Sequence, residues 1–163
     1  MTSPDEASVA GFQQDIAALP SSLLGVRLEL DRLLTGRSVA PARVDDIRLA
    51  VTEACANAVV HAYPEGEAGT VRVTADVTPE TLVVAVRDYG SGFAVRRCTT
   101  GLGMLLMRAL ADSIRIDDAD PGAAVQMTFQ LKQTTSTRAT PTHVLDVARR
   151  GRRTRYLAYS RRN

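Results

Sequence analysis

Glu53, Asn57 and His61 recur at steps of four residues. Four residues turn a helix by about 400°, so on a helix these side chains form one polar stripe. A carboxylate there can orient or deprotonate a hydroxyl. An amide oxygen is a hard ligand suited to Mg²⁺, which keeps most of its waters and shares substrate phosphates. The stripe is flanked by Ala50, Ala54, Ala58 and Val60. Taken alone, the helix leaves a second reading open, that of a solvated face. Downstream, Asp88-Tyr89-Gly90-Ser91-Gly92 ends an apolar run, and Gly101-Leu102-Gly103 opens a helical pattern. Glycines let a backbone approach a ligand closely. A Gly-x-Gly entering a helix turns free N–H groups and the positive end of the dipole toward phosphate. A carboxylate at a strand end can accept from an exocyclic amine such as that of adenine. Each fragment is generic by itself. DxGxG also occurs at ordinary tight turns. Gly101-x-Gly103 lacks the third glycine and the βαβ frame of a dinucleotide fingerprint, and no GxxxxGK is present.

The surrounding elements must position these residues. Pro20-Ser21-Ser22 opens a helical pattern with Leu23, Val26, Leu30 and Leu33 on one face, and Thr35-Gly36 ends it. Pro41 begins a second helix, from about Ala42 to His61, whose apolar face is Val44, Ile47, Val51, Ala54 and Ala58. Residues 70–77 alternate as a strand does, 81–87 form a more buried strand, and Thr78-Pro79-Glu80 connects them. A third helix runs from Gly103 to Ser113, followed by strands at 114–117 and 123–131 around the turn Asp120-Pro121-Gly122. Residues 9–19 fit a strand or a short helix equally well. Helices, hairpin, loop, helix and hairpin, in that order, describe an α+β two-layer domain rather than a βαβ alternation.

The chain has 163 residues, of which 45% are apolar, enough for one substantial core. Its net charge of +2 is unevenly spread. Residues 1–131 hold eleven arginines against seventeen carboxylates, a net of −6. Residues 132–163 hold eight arginines and Lys132 against Asp146, a net of +8. Three segments are expected: a disordered start at 1–8, one domain at 9–131, and a basic, flexible tail at 132–163 that contacts an acidic surface. No DNA-reading motif accompanies that tail, so direct nucleic-acid binding is not expected. No apolar run approaches the roughly 20 residues of a bilayer span, and the acidic start is unlike a secretory signal. The protein is therefore expected in the cytoplasm, away from membranes. Cys55 and Cys98 have no zinc-ligand spacing.

In this order, Glu53-x-x-x-Asn57, Asp88-x-Gly90-x-Gly92 and Gly101-x-Gly103 resemble the ATP-binding domain shared by gyrases, heat-shock chaperones, histidine kinases and mismatch-repair ATPases. Within that superfamily the chain is most similar to the small anti-sigma-factor serine/threonine kinases of bacteria. TEACANAVVHAY (Thr52–Tyr63) and TGLGMLLMRALADSI (Thr100–Ile114) carry the likeness, which covers residues 9–131 and none of the tail. The resemblance implies a two-layer α/β sandwich with a mixed, mostly antiparallel sheet and helices on one face. It implies that Asn57 holds Mg²⁺ between the phosphates of ATP and that Glu53 is the base. Asp88 would bind the adenine amine, and Gly90 and Gly92 would shape that pocket. Gly101 and Gly103 would offer amides to phosphate. Residues 93–100 would be a short lid from which Arg96, Arg97, Thr99 and Thr100 reach phosphate. The activity implied is transfer of the γ-phosphoryl group to a Ser or Thr of an anti-sigma-factor antagonist. A sigma factor would be sequestered by the same protein, as a homodimer.

The chain departs from the family pattern at Gly122-Ala123-Ala124, where Gly-Thr-Thr is usual and the first Thr helps bind adenine through water. That motivates an alternative, a nucleotide-binding but non-catalytic module that only captures a protein partner. The presence of Glu53 argues against it. The other polar residues have plainer readings. His61 is expected to pack against the hairpin, Cys55 to lie in the core, Cys98 to sit exposed in the lid and His143 to be incidental. Asp117, Asp118 and Asp120 read as a solvated turn.

Overall fold

Register against a hairpin decides the segment that the sequence leaves undecided. In the computed structural model, residues 10–64, 67–90, 101–119 and 121–132 are described. The chain divides after Gln133 into two units, and the described residues lie in the first. Ala10–Ala17 form β1. A short 3-10 turn, Pro20–Ser22, runs directly into α1 (Leu23–Leu34). Ser22 therefore has helical dihedrals and makes no side-chain cap. Next come α2 (Pro41–His61), β2 (Thr70–Val77) and β3 (Thr81–Asp88). The last elements are α3 (Leu102–Leu110), β4 (Ser113–Asp118) and β5 (Ala123–Gln130). Pro41 starts α2, where its missing N–H costs nothing. β1 pairs antiparallel with β2 from Ala10↔Val77 to Ala17↔Thr70. Those backbone bonds, rather than apolar periodicity, make it a strand.

The five strands lie in the order β1-β2-β3-β5-β4. All four neighbouring pairs are antiparallel. The expected mixed sheet thus shows no parallel pair among the described strands. β3 and β4, joined through α3, do run the same way, but β5 inserts between them. This is a split β-α-β arrangement, in which a parallel crossover is hidden by an antiparallel neighbour.

Alternation then sorts the two faces. Val71, Val73, Ala75, Val77, Leu82, Val84 and Val86 are buried on one face beneath the helices. Val26, Leu30, Ile47, Val51, Met104 and Met107 cover them. The other face is polar, with Arg72 donating to both carboxylate oxygens of Asp15 at 2.7 and 2.8 Å. α3 stops at Leu110, earlier than its apolar pattern predicts, because Ala111 is extended and the Asp112 amide bonds Thr128 O. The Asp112 carboxylate also accepts from the Gln130 amide at 2.7 Å. Among the described residues no helix is long and apolar enough to cross a membrane.

Candidate active site

Small residues on α2 bring this helix close to the sheet. Ala50, Ala54 and Ala58 are buried alongside Ile47 and Val51. Glu53 and Asn57 lie on the border of that face and are half-buried. Their stripe is therefore not a solvated face. His61, one turn further on, is exposed rather than packed against the hairpin; α2 ends there, and the chain turns away through Ala62 and Tyr63.

α3 lies antiparallel beside α2. At one end, buried Arg43 donates to Leu110 O at 2.8 Å and to Gln130 O at 3.1 Å, and it pairs with Asp112. Its guanidinium also stacks over Phe129 at 5.4 Å. At the other end Gly103 meets Glu53: a Cβ at position 103 would lie 1.9 Å from Glu53 Oε1. Gly103 falls inside the first turn of α3, and Gly101 sits at its cap in extended conformation. The Glu53 carboxylate thus lies across a helix start whose first amides lack intrahelical acceptors.

Asn57 lines a crevice between α2, α3 and the sheet, together with Ala54, Ala58, Val86, Asp88, Met104, Met107, Ile116, Ala123 and Val125. It holds about 20 Å³ of water-sized free space. Asp88 is the carboxylate on its floor, 4% exposed. Its Oδ1 accepts from the Gly90 amide at 3.1 Å. Burial pushes this carboxyl above its ordinary 3.8, while bonds from the Gly90 and Ala123 amides pull it back. Gly90 is required by close approach, since a Cβ there would lie 1.8 Å from Ala62 O. Gly122 is required by its φ of +96°, and a Cβ would strike Asp88 O at 2.0 Å. That turn sets Ala123 opposite Asp88.

The structure therefore brings together Glu53, Asn57, Asp88, Gly90, Gly101 and Gly103 around one helix pair and one strand end. Gly92, Thr100 and the lid residues Arg96, Arg97, Cys98 and Thr99 lie outside the described residues, as do Asp120 and His143. Cys55 is in the core, its thiol pushed up to about 12 by burial despite the nearby Arg27. Asp117 pairs with Arg115 at 2.9 Å. Among the described residues no three His, Cys, Asp or Glu side chains converge as a metal site. Sequence reasoning missed Met104 and Met107 as crevice walls, and Arg43 and Tyr63 as supports. Only Arg43 left a signal, a lone cation four residues before Ile47 on a buried stripe.

A buried carboxylate and an amide side chain in the wall of an apolar crevice, beside a helix start, are the group types that a nucleotide's base, metal and phosphates bind, although at this width the crevice must open to admit a ring. Residues 16–129 match the family model of the histidine kinase-like ATPase domain. The chain is 31% identical over 120 residues to the serine-protein kinase RsbW of Bacillus licheniformis, covering 63% of this chain and 74% of that protein. To the serine-protein kinase RsbW of Bacillus subtilis it is 29% identical over 137 residues, covering 74% and 85%. The anti-sigma F factor of Clostridium beijerinckii is 28% identical over 87 residues, 45% of this chain and 61% of that protein. The crystal structure of the RsbU and RsbW domains of a Mycobacterium tuberculosis protein shares the fold, with a TM-score of 0.61 and 22% identity. That match covers 76% of this chain and 33% of the other.

Proposed function

This chain belongs to the histidine kinase-like ATPase family, among its bacterial anti-sigma-factor serine kinases, and on that premise we propose that it is an ATP- and Mg²⁺-dependent protein serine/threonine kinase. Its substrate is an anti-sigma-factor antagonist, and its second task is to sequester a sigma factor. The observation that carries this reading is the Glu53 carboxylate lying over Gly103 at the start of α3, one helical turn from Asn57 in the crevice above Asp88.

The residues divide the work. Asp88 accepts a hydrogen bond from the exocyclic amine of the base, with its carboxylate fixed by the Gly90 and Ala123 amides. Met104 and Met107 are unbranched and flexible, and their rotamers widen the narrow slot for the ring. Asn57 offers its amide oxygen to the metal. Bound Mg²⁺ supplies neutralisation of the phosphate charge that develops in transfer. The amides that open α3 face the phosphates. Glu53 orients the attacking Ser or Thr hydroxyl and takes its proton as the γ-phosphoryl group leaves ADP.

Substitutions separate binding from transfer. Glu53→Ala should keep Mg·ATP affinity and lower phosphotransfer by at least 100-fold, a typical general-base contribution being about 10²–10⁴. Asn57→Ala should lose Mg·ATP affinity itself. Calorimetric titration and labelled phosphate transfer read the two effects; wild-type transfer by Glu53→Ala would remove the base assignment. A second reading, a nucleotide-binding module without transfer, draws on Ala123, a crevice wall with no hydroxyl for the base. It predicts bound ATP that is never consumed.

A further inference from the structure

Tyr63 lies two residues beyond α2, outside the crevice, yet it grips the segment that carries Asp88. The Tyr63 hydroxyl accepts a hydrogen bond from the Tyr89 amide at 3.0 Å and donates to Thr70 O. The pairing of β2 with β3 ends at Val71↔Asp88, so the next rung would set Thr70 opposite Tyr89. The phenol hydroxyl stands in for that rung. It bridges the Tyr89 amide and the Thr70 carbonyl where the β2–β3 ladder ends and the Asp88–Gly90 turn leaves the sheet. Gly69 makes room for the ring, since a Cβ there would lie 2.3 Å from Tyr63 Cδ2. The neighbouring Ala62 carbonyl packs against Gly90, where a Cβ would come within 1.8 Å. On the far side, the Arg87 and Arg72 guanidiniums stand over the Tyr89 ring at 4.9 and 5.8 Å. Tyr89 is thus held by its amide from one direction and by its ring from the other.

We propose that Tyr63 is a positioning residue for base recognition: its hydroxyl fixes the Asp88–Gly90 turn, so a side chain that does not line the crevice sets how strongly the base is held. The proposal rests on the assignment of Asp88 to the base. It also gives α2 a double role, since the same helix that carries Asn57 and Glu53 toward the phosphates leads directly into the residues that pin the base turn.

The test compares Tyr63→Phe with wild type in the full chain, titrating Mg·ATP and, as a base-free probe, Mg·tripolyphosphate. Phenylalanine keeps the ring against Gly69 and removes only the hydroxyl. The loss of one partly buried bonding group should weaken ATP by about five- to tenfold. Tripolyphosphate affinity and kcat should be unchanged, and hydrogen exchange at the Tyr89 amide should accelerate. Equal weakening of both ligands, or of neither, would overturn the proposal. Asp88→Asn is the control. If it lowers ATP relative to tripolyphosphate while Tyr63→Phe does not, the role of Tyr63 alone falls. If Asp88→Asn leaves the ratio untouched, the base assignment falls and the role of Tyr63 falls with it.

Discussion

At Gly103 one missing methyl group makes room for the Glu53 carboxylate. In the first turn of α3 a glycine costs helix stability relative to alanine, by up to about 1 kcal/mol. Its place is explained by Glu53, whose carboxylate occupies the space where a Cβ would be. Gly103→Ala should therefore keep or raise the melting temperature while phosphotransfer falls at least tenfold, because the carboxylate must swing aside. A thermal melt and a transfer assay on the same sample check both signs. Asp88 gives a pH signature. Its carboxyl is held above the ordinary value by burial, and the base amine proposed to bind it needs the ionised form. Nucleotide affinity should therefore fall, on acidification, at a higher pH than an ordinary aspartate allows, and binding there should release a proton. The folding term has the opposite sign. The folded chain favours the protonated acid, so that contribution is present below the ordinary value of 3.8 and is lost as pH rises through the folded one. Calorimetry in buffers of different ionisation heat measures the proton release, which Asp88→Asn should abolish. At this scale the convergence of Glu53, Asn57, Asp88, Gly90, Gly101 and Gly103 was legible from their types and order, whereas Gly92 and Thr100 lie outside the described residues. Tyr63 was not legible, because its partners Thr70 and Tyr89 become neighbours only when the hairpin forms.

Elements hold these residues through bonds that cross long stretches of chain. Arg43, at the start of α2, ties the end of α3 to the end of β5 through Leu110 O, Gln130 O and Asp112. Arg43→Met keeps the stem and strands two carbonyls, at a cost of about 2 kcal/mol, which urea unfolding would show as a lower midpoint. Asp112 is partly exposed, so water can solvate its carboxylate and limit the loss. The same contacts explain where pattern reading stopped short. Strands β2 and β3 were legible because alternation directly reports a half-buried sheet. The end of α3 was not, because Ala111 and Asp112 are drawn from an otherwise helical pattern by Thr128 and Gln130. β1 was ambiguous for a related reason: Ile16 is the one strand residue there that is fully buried, too little to establish a period. The split crossover also had no local sign, since strand order is a property of the whole sheet.

Across the whole molecule, charge is separated along the chain. The acidic body, net −6 over residues 1–131, offers no general attraction for a polyphosphate. The nucleotide site proposed above would therefore work through helix amides, a metal at Asn57 and Asp88, the buried carboxylate among the described residues. The basic stretch of 132–163 lies outside the residues that the family model matches. Glu53 is present to move a proton in transfer, or the domain only holds its nucleotide. The most direct measurement incubates the protein with γ-labelled ATP, Mg²⁺ and the small proteins encoded beside it. Label on a Ser or Thr of one of those proteins is the predicted result. Bound ATP whose label never leaves the nucleotide, or appears only as free phosphate, would contradict it.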